Sequence, residues 1–294
     1  MIPVGDNNWG RWGPLDELGA LNHVGPEQVL RAVQLVEHGQ VVRLGQNLGP
    51  ETAVPHHRKK VERLMMRDGG DYAAGAGRPG GFQFAEEVLG FAAHTGTHMD
   101  ALAHAWYDDQ LYNGFPSSSI RSTTGARHCG AENLRPTVTR GVLLDVASVR
   151  TSPLGSGDVV TLKDLETAAA NAGVQPETGD VVLIRTGWFG RHAGDAEAYL
   201  DGEPGIDEEG AAWFAQAGVA GVGADNYAIE VLPFQSDDVF PVHKLLLRDY
   251  GVPLIEGVVL DELAEAGATA FLFVAAPLPV TGGTAGPVCP VAVL

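Results

Sequence analysis

Cysteine is nearly absent from the 294-residue chain, which holds only Cys129 and Cys289. Two thiols cannot build a disulfide framework, nor a cysteine-based zinc site, which needs several thiolates at short spacing. Any metal would therefore rest on histidine and carboxylate, and the chain has 10 His and 37 Asp+Glu. Cations are the second scarcity: 19 Lys+Arg against those 37 acids leave a formal net charge of −18. Phosphate backbones and anionic lipid repel such a chain, because affinity for them comes from cationic side chains that release counterions. The expectation is no nucleic-acid partner and no membrane partner. Long apolar runs are also missing. The most apolar stretch, Phe271 to Val280, contains Pro277 and Pro279 and is shorter than the roughly 18 residues a membrane span requires. The first residues lack the basic start and apolar core of a secretory signal, so a cytoplasmic location is expected. There is no Gly-x-Ser-x-Gly elbow and no Walker loop, and the Gly221-x-Gly223 pair lacks the third glycine of a dinucleotide site.

What is present is an ordinary globular composition, 45% hydrophobic and 19% charged, enough to bury a core. Residues 26–38 carry apolar positions at helical spacing, with Pro26 at the first turn and Gly39 past the end. Residues 41–45 read as a short strand, and residues 51–80, polar and then glycine-rich, as a long surface excursion. From residue 141 onward the pattern alternates. Residues 141–147 and 180–185 read as buried strands, and Thr161 caps a helix through Asp164 that runs to Gly173. A helix around 208–217 precedes a strand at 219–223 that ends at Ala224-Asp225-Asn226, and 271–275 is the last clear strand. Such alternation predicts a single α/β domain with a mixed sheet and packed helices. Residues 1–40 form an N-terminal extension with one helix, and 41–294 the main domain.

The most informative segment is His94-Thr95-Gly96-Thr97-His98-Met99-Asp100-Ala101-Leu102-Ala103-His104, four potential ligands or bases in eleven residues. On a straight strand His94 and His98 stand about 13 Å apart, too far to share an ion with bonds of about 2 Å. On a straight helix Asp100 points about 200° away from His98. The spacing predicts instead a strand ending near His94, a glycine-centred turn, and a helix beginning near His98 with Asp100 and His104 on one face. That turn gathers two imidazoles and a carboxylate, the donor set of a catalytic metal site. The alternative is that these are surface or core histidines without a common partner.

The segment His-x-Gly-Thr-His-x-Asp-Ala-x-x-His resembles the signature of the metal-dependent cyclase family, which includes bacterial kynurenine formamidases, isatin hydrolases and a dienelactone hydrolase. The resemblance extends from about residue 40 to the C-terminus, through Gly221-Val222-Gly223-Ala224-Asp225, Pro241-Val242-His243-Lys244-Leu245-Leu246, Gly251-Val252-Pro253-Leu254-Ile255-Glu256 and the Gly-Gly-Thr-Ala-Gly-Pro tail at 282–287. It implies a swivelling β/β/α, cyclase-like architecture. It further implies that His94, His98 and Asp100 bind a divalent metal, that His104 is the catalytic histidine, and that His243 and Glu256 help to bind a second ion. The sequence departs from the family pattern at Leu102, where proline is usual, and in the longer stretch 106–114.

The function implied is hydrolysis of an amide, lactam or lactone of a small molecule, with zinc or manganese and His104 as general base, in a homodimer or homotetramer. The rival readings are a polyketide-type cyclase or dehydratase using the same metal, and a non-catalytic metal-stabilised binding protein. Asp225, at a strand end, reads as a cap for the next turn or as a support for the ligands. Trp106, Tyr107, Tyr112, Phe115, Trp188 and Phe189 read as core in preference to pocket, and His23, His38, His56, His57, His128 and His192 as structural or exposed.

Overall fold

Two strands buried on both faces organise the molecule, in a computed structural model that describes residues 7–294. Along Thr137–Asp145 and Val181–Arg185, Val142, Leu144, Val182 and Ile184 enter one apolar cluster, while Leu143, Val181 and Leu183 enter the other. Side chains alternate between faces with a period of two, so a near-continuous apolar run must be covered on both sides. In chain order the strands of this sheet are β1 (Val41–Arg43), β2 (His98–Asp100), β3 (Thr137–Asp145), β4 (Val181–Arg185), β5 (Gly221–Ala224), β6 (Leu254–Glu256), β7 (Ala270–Ala275), β8 (Ala285–Pro287) and β9 (Val291–Val293). Their spatial order is β1-β9-β7-β3-β4-β5-β6-β2-β8. The central strands β3, β4, β5 and β6 are parallel, and every pairing outside them is antiparallel. The predicted single-domain mixed α/β fold is what is found.

The helices stand where capping chemistry places them. Pro26–Val33 (α1) has proline in its first turn, and Leu162–Ala172 (α2) follows Thr161, whose hydroxyl accepts from the Asp164 N–H. Glu208–Ala217 (α3) is capped by Asp207, and α2 and α3 both end on a left-handed glycine, Gly173 and Gly218. Left-handed termination suits glycine because it has no Cβ to clash. The helices α2 and α3 are the crossovers that make β3, β4 and β5 parallel.

Three local expectations are corrected. The N-terminal helix ends at Val33, short of residue 38. The excursion at 51–80 is not irregular throughout, since Glu62–Arg67 pairs antiparallel with Glu86–Gly90 in a separate exposed ribbon. The segment at His98 is a strand, not a helix, because Met99 fills the core between two flanking strands. The described part of the N-terminal segment packs on the domain: Asp16 accepts from the Tyr112 hydroxyl, and Glu17 accepts from the Cys129 N–H and lies 3.0 Å from His128 Nδ1. His128 therefore has a partner that its sequence neighbourhood does not reveal. No helix of the described residues is long and apolar enough to cross a membrane.

Candidate metal centre

Strand β2 sets the site. Met99 points into the core and is fully buried, so His98 and Asp100, two residues apart, share the opposite face. In the neighbouring β6, Glu256 stands directly across from His98, a pairing that brings Cβ atoms to about 5 Å. The turn before β2 folds His94 back over the strand. Gly96 adopts φ +60° there, a left-handed conformation natural to glycine, and the Thr97 hydroxyl donates to the Gly257 carbonyl at 2.7 Å while accepting from the Gln46 N–H at 2.9 Å. Arg58 donates to the His94 carbonyl at 2.8 Å. After β2, the His104 N–H closes a turn on the Ala101 carbonyl at 2.9 Å, which directs the His104 ring back toward Asp100. His243 arrives from the helical turn Pro241–His243, continued by the wider π-helical turn Lys244–Asp249.

The six residues singled out in the sequence converge. Asp100 Oδ1 lies 3.4 Å from His94 Nε2 and 3.5 Å from His98 Nε2, and its Oδ2 lies 3.8 Å from His243 Nε2 and 4.0 Å from His104 Nε2. Glu256 approaches His98 Nε2 at 3.1 Å and His243 Nε2 at 3.3 Å. Two sets of donor atoms each fit within 4.8 Å of one another: His94, Asp100 and His104, and His98, Asp100 and Glu256. Asp100 belongs to both.

Most of these atoms have no hydrogen bond. His94 Nε2, His98 Nε2, both oxygens of Asp100 and Glu256 Oε1 are buried and unpaired, so the short His98–Glu256 approach lacks hydrogen-bond alignment. A buried polar atom left unpaired costs about 1–3 kcal/mol, and five on one spot call for a common partner. Imidazole nitrogen and carboxylate oxygen together suit zinc and manganese, and the donor set fits such an ion. Asp100 is 0% exposed and Glu256 3%, whereas the His104 side chain is 26% exposed. The cluster therefore opens to solvent on the His104 side.

The electrostatics divide the histidines. Burial, then the neighbouring charges of His104, His98 and Arg58, push His94 down to about 2, and burial also holds His104 below its ordinary 6.5. Both are neutral at pH 7, with lone pairs free. Burial disfavours charge on His98 and His243 as well, but Glu256 and Asp100 raise His98, while Glu230 and Glu256 raise His243 to about 10. Burial raises Asp100, and it would raise Glu256 too, had His243 and His98 not drawn that carboxyl below its usual range.

Other residues resolve differently. Asp225 accepts from the Thr186 N–H and hydroxyl and from the Gly187 N–H, tying the end of β4 to the end of β5 without touching a candidate ligand. Leu102 is buried core. Tyr112 and Trp188 are buried as expected, while Trp106 is exposed. His56 and His57 line a cleft of about 1040 Å³ with Tyr227 and residues 195–198, 200 and 201, and none of the six converging residues lines it. Sequence reasoning places Thr97 in the turn but not its anchoring contacts, and it misses Arg58, Gln46 and Glu230. The first three act through backbone contacts that any polar residue in a loop could make. Glu230 is hidden because nothing in its neighbourhood marks it as buried.

The Cyclase family model matches residues 42–231. A crystal structure described as that of a novel cyclase is 34% identical, with a TM-score of 0.91 over 98% of this chain and 99% of that one. Isatin hydrolase A from Ralstonia solanacearum is 24% identical, with a TM-score of 0.65 over 86% of this chain and 91% of that one. An isatin hydrolase bound to the product analogue thioisatinate is 21% identical, with a TM-score of 0.65 over 92% and 99%. These last two share the fold. A comparison with curated proteins finds no match. By the extent of the family match and by its 34% identity to a cyclase structure over nearly the whole chain, this protein belongs to the Cyclase family.

Proposed function

We propose that the protein is a metal-dependent hydrolase that opens an amide, lactam or lactone of a small cyclic or aromatic molecule. The observation that carries this reading is the convergence of His94, His98, Asp100 and Glu256, whose buried donor atoms have no hydrogen-bond partner. His94, His98 and Asp100 would hold a divalent ion, zinc or manganese, and His243 and Glu256 would join Asp100 around a second. When bound, such an ion makes a water acidic enough to lose its proton near neutral pH and polarises a carbonyl oxygen.

The remaining chemistry falls to side chains. His104 takes the proton of the attacking water at Nε2 and returns it to the leaving nitrogen or oxygen, a two-way role suited to an imidazole that is neutral at working pH. Its partial exposure, against the near-complete burial of Asp100 and Glu256, favours approach of the substrate from its side. Asp100 is common to two donor groups, one with His94 and His104 and one with His98 and Glu256, so it would be shared by both ions. The names of the fold relatives, isatin hydrolases among them, favour a lactam carbonyl over a polyketide.

The test is elemental analysis of the purified protein joined to a screen of N-formyl anilines, isatin-like lactams and unsaturated lactones. The expected outcome is bound metal and turnover of at least one class, abolished by chelation and restored by zinc or manganese. A fully metallated protein that turns over none of them sinks the hydrolase reading, and a metal-stabilised binding protein then stands in its place. The proposal includes a homodimer or homotetramer, for which light scattering should return two or four times 30.9 kDa. A single-chain mass refutes that part.

A further inference from the structure

Glu230 lies outside the six residues singled out above and is 1% exposed. Its Oε1 accepts the backbone N–H of His243 at 2.8 Å and lies 2.6 Å from His243 Nδ1. No cation of the described residues pairs with it; its ring partner is this imidazole. On the other side of the ring, His243 Nε2 is 3.3 Å from Glu256 Oε1 and 3.8 Å from Asp100 Oδ2.

The loop that delivers Glu230 is held at every residue. Glu203, fully buried, accepts the N–H groups of Tyr227 at 2.8 Å and Ala228 at 2.9 Å. Asn226 accepts the Ile229 N–H at 2.9 Å and donates to the Pro204 carbonyl at 2.6 Å. Ile229 adopts φ +61°, a left-handed conformation that is an outlier for a β-branched residue and persists only where the surroundings over-determine it. Gly205 permits the approach, since a Cβ there would meet the Glu230 carbonyl carbon at 2.1 Å.

We infer that Glu230 is the positioning residue for His243. A carboxylate has no proton to give, so Nδ1 is the donor in this contact and, in the neutral ring, Nε2 carries the lone pair. Glu230 thereby selects the tautomer and ring angle that present Nε2 to the space shared with Asp100 and Glu256. Partners of this kind orient metal-binding histidines, and their loss lowers metal affinity about ten- to hundredfold. The inference rests on the metal-site reading above and adds a residue that touches neither ion nor substrate.

The test uses the full chain loaded with zinc. Zinc affinity is measured by competition with a chromophoric chelator for wild type, Glu230→Gln and Glu230→Ala, and 15N-histidine spectra are recorded for the zinc-loaded wild type. His243 is assigned by its absence in His243→Gln. Expected are a wild-type His243 protonated at Nδ1 and unprotonated at Nε2, and affinity weakened about ten- to hundredfold in Glu230→Ala. Glu230→Gln, which keeps an acceptor oxygen and loses the charge, should fall between. Wild-type affinity in both variants, or a wild-type His243 protonated at Nε2, overturns the inference. If Glu230→Ala does not fold, Glu230→Gln and the wild-type spectrum decide. A wild type that takes up no zinc overturns the metal-site reading itself, and this inference with it.

Discussion

Asp100 is the residue on which the centre turns. It is fully buried, neither oxygen accepts a hydrogen bond, and four imidazoles lie within 4.0 Å of it. Replacing Asp100 by Ala should strip the metal, and stoichiometric metal retained by elemental analysis would refute its place as a shared ligand. Replacing His104 by Ala should leave metal near the wild-type level while turnover falls about 10²–10⁴-fold, the usual contribution of a positioned proton carrier. The measurement also decides the role, because His104 groups with His94 and Asp100 within ligand reach: metal lost together with activity would make it a ligand. A pH dependence follows from the same charges. His243 is raised from 6.5 to about 10, so its contribution to stability is fully present below pH 6.5 and is lost as pH rises through about 10. Thermal scans of chelator-treated protein should therefore show Tm falling between pH 7 and pH 10. Saturating zinc should flatten that fall, since an ion takes the place of the protons. A Tm that rises over this range without metal would contradict the pairing of His243 with Glu230 and Glu256. At this scale the sequence is legible where the candidate residues are close together. His94, His98, Asp100 and His104 sit in eleven residues, and a glycine marks the turn.

Elements were legible where local chemistry governs them. Helix α2 has the boundaries that Thr161, Asp164 and Gly173 announce, because a cap satisfies orphan N–H groups within the chain segment itself. The element carrying His98 was not. A run of three residues has no periodicity to read, and β2 is a strand only because β6 and β8 flank it. The geometric consequence is favourable to the site all the same. Ligands at i and i+2 on a strand share a face as surely as i and i+4 on a helix, so the corrected element preserves the cluster. The turn entering β2 is the weak point. Gly96→Ala would place a Cβ 2.6 Å from Leu48 Cδ2 on a backbone held at φ +60°, and the left-handed conformation alone costs roughly 1–2 kcal/mol. We expect a lowered Tm and weakened zinc binding together. An unchanged chelator-competition curve would show that the turn does not set the position of His94.

Over the whole molecule, the sheet brings its parallel strands to a common edge where Glu256, Asp225 and Thr186 lie at or just past strand ends, the usual approach side for ligands in α/β sheets. The centre thus ties β2 to β6 and to the helical turn bearing His243, so metal should stabilise the entire fold. An ion at a hundred times its Kd adds about 2.7 kcal/mol, and at a few degrees per kcal/mol Tm should rise by several degrees on zinc addition to the chelated protein. No shift would mean that the ion binds folded and unfolded chains alike. The acidity, the scarcity of cysteine, the α/β alternation and the local His/Asp motif are properties of composition and short-range spacing, and the amino-acid order settles them before any folding. The pairing of Glu256 with His98, the seat of His243 over Asp100, and the burial of Glu230 against its ring depend on strand register and loop packing between distant segments. Those are non-local contacts, selected by how two apolar clusters close over one sheet, and only the folded chain decides them.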